Sequence, residues 1–197
     1  MKVSKEKAEE NRQRVIDTAA TLLRERGIDG IGIADLMDAA GLTHGGFYRQ
    51  FKSKDDLVAQ AVQRAFDMTR ADIAEQLKMA PGNPFEALVR HYLSDFHRDS
   101  IGAGCGLTAL AADAARHEDP ALRSVFGAAV TSYINFLTAL IPDGDAASNR
   151  RAAIAMLAEM VGAVILARVA LDRPAADEIL RTVSADLLQK HGKTQSA

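Results

Sequence analysis

The chain has 197 residues, a formal net charge of -2, and 48% hydrophobic but only 5% aromatic residues; this length supports a large core, and the alanine-rich, aromatic-poor composition favours close-packed helices over sheets, so an all-α fold of about nine helices is expected. The charge balance excludes a globally basic nucleic-acid binder, so any such contact must come from local clustering. A single cysteine excludes an internal disulfide framework and a thiolate zinc site; with no secretory signal, and with the apolar run 152–171 interrupted by Glu159 and Arg168, a cytoplasmic protein without a membrane partner is expected.

The first helix is expected over Lys5 to Arg26, because Ile16, Ala19, Ala20 and Leu23 recur at i, i+3, i+4 and i+7 and Gly27 supplies a stop. Ile33, Leu36, Met37 and Ala40 repeat that spacing in a second helix of barely two turns, which ends at Gly41. Gly41 fits the position after a helix end, Thr43 fits the next N-cap, and Phe47 and Phe51 lie four residues apart on one face of a third helix. The opposite side carries Arg49, Gly45 and Gly46, flanked by His44 and Tyr48. Two glycines in one helical turn cost about 1 kcal/mol each relative to alanine, which makes sense where the backbone must approach a partner closely. From Thr43 to Lys54 there are three cations, Arg49, Lys52 and Lys54, and no carboxylate, and the N-terminal run adds Lys2, Lys5, Lys7, Arg12 and Arg14. Arginine suits guanine edges and phosphates, tyrosine and lysine suit phosphates, so this stretch reads as the groove-facing part of a helix-turn-helix.

The run from Asn11 to Val62 resembles the N-terminal domain of the tetracycline-repressor (TetR) family of transcriptional regulators, with Ala19, Gly27, Gly41, Gly45, Tyr48, Phe51, Lys54 and Leu57 at that family's spacing. The resemblance implies an N-terminal three-helix helix-turn-helix domain, residues 1–54, and a larger helical ligand-binding and dimerisation domain, residues 55–197. It also implies a ligand-responsive regulator that is not an enzyme and needs no cofactor. Its partners are double-stranded DNA carrying a pseudo-palindromic operator, a small-molecule effector, and a second copy of the chain. Positions Thr43, His44, Gly45, Gly46, Tyr48, Arg49 and Lys54 match those that contact DNA in the family. Gly46 stands where the family usually has Thr or Ser, Ala34 where a long polar residue is frequent, and Gly32 replaces a common Ser or Thr cap, so the direct contacts are fewer and DNA shape carries more of the readout.

Ser53 and Asp56 form a capping-box-like start to a long helix reaching about Met79. Val58, Ala61, Val62 and Ala65 face the N-terminal module, and Phe66, Ile73 and Leu77 continue the stripe, so this helix touches both halves and is the natural lever between them. After Pro81-Gly82, Asn83 caps and Pro84 opens a helix whose stripe runs Phe85, Leu88, Val89, Tyr92, Leu93 and Phe96. The loop DSIGAGCG, residues 99–106, has no preceding strand and is not a nucleotide motif. A short alanine-rich helix over Leu107 to His117 follows, then one from Pro120 to about Ile141 with Leu122, Val125, Phe126, Ala129, Tyr133 and Phe136 or Leu137 inward, and a turn at Pro142-Asp143-Gly144.

The helix from Ala146 to Leu171 is apolar on two faces, Ile154, Leu157, Val161 and Ile165 on one and Met156, Met160 and Ala167 on another. The last, opened by Pro174, has Ala176, Ile179, Leu180, Val183 and Leu187 in phase before a polar tail from His191 to Ala197. Two buried faces need two partners, and the family resemblance implies a homodimer in which these last two helices form a four-helix bundle with their copies. Helices of this second part wrap an effector in the family; Phe66, Tyr92, Phe96, Cys105, Leu107, Phe126, Tyr133, Met156 and Met160 are the candidate lining, a mix that suits a largely apolar molecule.

No nucleophile–base–acid set or metal spacing stands out among His44, His91, His97, His117 and His191, although His91, Asp95 and Asp99 fall at i, i+4 and i+8, a pattern that is ordinarily a solvated face. An enzyme using His91, Asp95 and Cys105, or a helical module binding protein partners, are the other readings. Cys105 precedes a helix start, a place where a thiol can be activated.

Overall fold

Gly27 and Gly41 adopt positive φ, +81° and +70°, and these two left-handed residues end the first two helices where the periodicity stops. The computed structural model describes residues 5–142 and 144–192. Lys2, Asp143 of the expected turn, and residues 193–197 of the polar tail lie outside them. The order is α1 (Lys5–Arg26), α2 (Ile33–Ala39), a 3-10 segment (His44–Arg49), α3 (Lys54–Met79), α4 (Pro84–Tyr92), α5 (Asp95–Asp99), α6 (Gly106–Arg116), α7 (Pro120–Leu140), α8 (Ala146–Arg168) and α9 (Arg173–His191). The fold is all-α, with helix-turn-helix-like elements at the N-terminus and a larger helical part after them.

Helix α3 is the axis of the molecule, packing on α1 at one end and on α4, α6 and α7 along the rest. Its start is fixed locally: the Ser53 hydroxyl accepts from the Asp56 N–H at 3.0 Å and the Asp56 carboxylate accepts from the Lys52 N–H at 2.9 Å, a reciprocal cap. The Lys52 N–H, with the Gln60 amide, holds the Asp56 carboxyl below its ordinary value. Leu57, Val58, Ala61, Val62, Ala65 and Phe66 are all buried, which makes one face of α3 continuous core. Asp17 of α1 and Arg64 of α3 pair at 2.6 Å across the outside of that contact.

Three expectations are corrected. The stripe from Phe85 to Phe96 is not one helix: α4 stops at Tyr92, and Ser94 starts α5, its hydroxyl accepting from the His97 N–H at 3.1 Å and donating to the His91 carbonyl at 2.7 Å. A serine that satisfies backbone groups on both sides offers the chain an alternative to continuing the helix. Phe96 consequently leaves the core and is 63% exposed. The same break removes the shared face of His91, Asp95 and Asp99; His91 pairs with Asp72 of α3 and Asp99 with Arg98 and Arg173, and no cluster of metal-ligating groups occurs among the described residues. Finally, α8 ends at Arg168 rather than Leu171. On α7, Leu137 is the buried member of the pair it forms with Phe136, as expected, whereas Val125 is only half-buried.

The N-caps of the later helices are built from adjacent residues. Asn83 accepts from the Glu86 N–H at 3.0 Å ahead of Pro84, Asp119 from the Ala121 N–H at 2.9 Å ahead of α7, and Asp172 from the Ala175 N–H at 2.9 Å ahead of α9. Helices α7, α8 and α9 pack side by side, with Met156, Met160, Val164 and Ala167 of α8 directed into the core. The other face of α8 leaves Ile154, Ile165 and Leu166 exposed within the single chain. No helix among the described residues is long and apolar enough to cross a membrane.

Candidate nucleic-acid interface and interior cavity

The stretch from Thr43 to Lys54 is anchored by two rings. Phe47 and Phe51 are buried, 5.5 Å apart between centroids, and Arg12 of α1 lies over the Phe51 ring at 5.4 Å. Complete burial of a phenylalanine is worth on the order of 2–3 kcal/mol, enough to hold a segment only six residues long. The segment is a 3-10 helix rather than the α-helix expected, and Thr43 sits at its N-cap with extended backbone but no side-chain cap bond. The Leu42 N–H donates to the Met37 carbonyl at 2.8 Å, so the turn at Gly41 ties the segment to α2.

With the two phenylalanines inward, Thr43, His44, Gly45, Tyr48 and Arg49 are exposed, Gly46 and Lys54 are half-buried, and Lys52 is exposed at the start of α3. Tyr48 stands edge-on to Phe47 at 5.1 Å and His44 edge-on to Tyr48 at 6.4 Å, which fixes the two polar rings on the outer side. A Cβ added at Gly45 would meet nothing within 4 Å, and one at Gly46 would meet only Met37 Cε at 3.5 Å and Thr43 Oγ1 at 4.0 Å. Among the described residues, no contact would bar a side chain at Gly45, and at Gly46 only ordinary van der Waals contacts would be met. Of the seven residues singled out from the sequence, five are exposed and two half-buried; Arg12, which lies over the Phe51 ring, was not singled out because its partner is distant in the chain.

The interior site is built on α3, α4 and the loop after α5. Phe66 meets Phe126 and Tyr133 edge-on at 5.2 and 6.2 Å, and its ring approaches Gly106 so closely that a Cβ there would lie 2.9 Å away. Beside this ring cluster is a cavity of only about 20 Å³, lined by Thr69, Ile73, Tyr92, Phe96 and Cys105 among others. That is room for about one water-sized group. Of the nine lining candidates, Tyr92, Phe96 and Cys105 border the cavity; Phe66, Phe126 and Tyr133 form the ring cluster, and Leu107, Met156 and Met160 are buried core. Thr69, Asp72, Ile73, His91 and His97 also line it and were missed. The i, i+3, i+7 spacing of Phe66, Thr69 and Ile73 on α3 was the available signal.

His97 organises the cavity wall. Its Nδ1–H donates to the Tyr92 carbonyl at 2.7 Å, and its Nε2 accepts from the Cys105 N–H at 2.9 Å. That arrangement needs a neutral ring, and burial, with Arg168 nearby, pushes its pKa down from 6.5 to about 4. Arg168 of α8 donates to the carbonyls of His97 and Arg98 at 3.0 Å each and to the Thr108 hydroxyl at 3.2 Å. From the other side, Arg24 of α1 donates to the Gly104 carbonyl at 2.9 Å. Gly102 lies against Thr21 and Glu25, and Asp113 of α6 accepts from the Ile28 N–H at 3.1 Å. The cavity wall therefore leans directly on α1 as well as on α3.

Comparison with known proteins points the same way. The family described as "Bacterial regulatory proteins, tetR family" matches residues 15–61. An uncharacterized HTH-type transcriptional regulator of Mycobacterium tuberculosis (strain CDC 1551 / Oshkosh) is 30% identical over 189 residues, 90% of this chain and 94% of that protein. The HTH-type transcriptional regulator AcrR of Shigella flexneri is 31% identical over 90 residues, so the match spans 43% of this chain and only 40% of that relative. Among solved structures, a TetR-family transcriptional regulator from Cytophaga hutchinsonii superposes with a TM-score of 0.78 at 23% identity, covering 97% of this chain and 98% of that one, a likeness of fold.

Proposed function

The chain belongs to the TetR family of bacterial regulatory proteins and is a DNA-binding transcriptional regulator, and we propose that it acts as a homodimeric repressor, released from its operator by a small, largely apolar effector. The observation that carries this reading is the exposed, basic stretch from Thr43 to Lys54, which contains no carboxylate and is anchored by two buried phenylalanines. Residues 1–54 form the DNA-reading domain in this account and residues 55–197 the effector and dimerisation domain. Tyr48 and Lys54 hydrogen-bond phosphates and set the register, while His44 and Arg49 reach base edges past the bare backbone of Gly45 and Gly46.

The exposed strip Ile154, Ile165 and Leu166 on α8 supports pairing of α8 and α9 with their copies. Two reading segments then sit about 34–36 Å apart and address a pseudo-palindrome. An effector that opens the interior cavity displaces α3, which packs on both the cavity and α1, and a coupling of about 1–3 kcal/mol between the sites suffices for release. Selection of bound duplexes from a random library tests the reading: the expected product is a pseudo-palindrome with half-sites about one helical turn apart. Enrichment of no common sequence would rule out specific readout.

A further inference from the structure

Among the described residues, two phenol hydroxyls and two guanidiniums around the cavity are left without a full complement of partners. The hydroxyls of Tyr92 and Tyr133 are buried and make no hydrogen bond of ordinary geometry; both face the Cys105 thiol, Tyr133 also faces Thr69, and of the two Tyr92 lines the cavity. Arg24 and Arg168 close on Gly104 from opposite sides, Arg24 through the Gly104 carbonyl and Arg168 with a guanidinium nitrogen 3.1 Å from where a Cβ on Gly104 would stand. Arg24 is 2% exposed, yet among the described residues neither guanidinium forms an ion pair; their partners are carbonyls, the Thr108 hydroxyl and the Met68 thioether. Glu25, the carboxylate that acts on Arg24, does so only through space. Burial lowers the pKa of both arginines, the signature of cations held without a matching anion. Leaving a phenol donor unpaired and a cation uncompensated in the interior is costly, and such an arrangement persists where a ligand completes it.

We propose that the cavity takes the carboxylate of a small organic acid, with the Tyr92 and Tyr133 hydroxyls donating to it, the Arg24 and Arg168 guanidiniums balancing its charge, and its apolar body leaving past Ile73 and Phe96. A carboxylate offers about four acceptor positions and one negative charge, which answers both deficits at once. A neutral amide answers only the hydroxyls, and an amine adds a third cation. The cavity, with room for about one water-sized group, opens to seat the head group alone, and Phe96, exposed at the rim, provides the apolar surface for the remainder. Entry passes the Asp72–His91 pair, which bridges α3 and α4 at the cavity wall at 2.6 Å. Asp72 is already engaged by the His91 ring, so its carboxylate does not face the incoming acid unpaired. The proposal rests on the reading of this cavity as the effector site and names the class of effector.

Calorimetric titration of the full chain with acetate, butyrate and benzoate, each against acetamide, butyramide and benzamide at fixed ionic strength, tests it. At least one acid is expected to bind, its amide about tenfold more weakly or not at all, and Tyr92→Phe to weaken that acid by about tenfold. Because the Tyr92 hydroxyl makes no hydrogen bond of ordinary geometry in the ligand-free chain, Tyr92→Phe is expected to fold; Arg24→Gln adds a second variant in which the preference for acid over amide collapses. Equal binding of acid and amide, no binding by any acid, or an unchanged acid affinity in Tyr92→Phe overturns the proposal. The same preparations are titrated with the selected duplex and with a scrambled one. Selective duplex binding without acid binding overturns the ligand class alone, whereas loss of duplex selectivity in the unaltered chain overturns the regulatory reading.

Discussion

Arg49 and Tyr48 project from a segment only six residues long, and what aims them is Phe47 behind, with Phe51 stacked below it. Replacing Arg49 with Ala is expected to weaken binding of the selected duplex by about 1–3 kcal/mol, measured by fluorescence anisotropy. An unchanged affinity would move the readout to phosphates and DNA shape. His97 makes a different prediction. An unfolded chain takes up a proton near pH 6.5, but the folded one refuses it until about pH 4, so the unfolded state binds more protons between those values. Stability therefore rises with pH across that window, and about 3 kcal/mol is lost as pH falls through it. His97→Gln is expected to flatten the pH dependence of the melting temperature between 4 and 6.5; a slope identical to that of the unaltered chain would show that His97 does not carry it.

Helix ends built from adjacent residues were legible in the sequence. Gly27, Gly41, Ser53, Asn83-Pro84 and Asp119-Pro120 each do in the structure what their chemistry requires, because the partner atoms lie within four residues. Ser53→Ala is expected to lower stability by about 1 kcal/mol, read as a drop in the urea midpoint, since it strips the cap from the one helix that joins both ends of the molecule. The break at Leu93 was not legible. The apolar stripe continues through Phe96, and only the local bonds of Ser94 and the tie from His97 to Cys105 choose two helices over one. The same holds for the 3-10 form of the reading segment: its face was evident from Phe47 and Phe51, its pitch was not. Arg24 looked like any polar residue near the end of an amphipathic helix, yet it is buried by Gly104, eighty positions away.

At the level of the whole chain, the reading surface and the cavity are linked twice, once along α3 and once through the wall of the cavity onto α1. Which residues line the interior depends on how α3, α4, α5 and the loop after them meet, so stripe membership alone placed six of the nine candidates in rings or core rather than at the cavity. The two-faced character of α8 was visible in the sequence, and the single chain leaves Ile165 and Leu166 exposed. Leu166→Glu is expected to convert the dimer to a monomer in sedimentation velocity and to cost binding of the selected duplex well beyond about tenfold, because a monomer holds one half-site; a dimer of unchanged strength would place the interface elsewhere. The most direct measurement titrates the unaltered protein against the selected duplex and a scrambled duplex over a series of salt concentrations. Affinity for both is expected to fall steeply with salt, as phosphate contacts release counterions, with a preference for the selected duplex of about 10³-fold or more at physiological salt. Equal affinity for the two duplexes, with little dependence on salt, would contradict specific DNA readout.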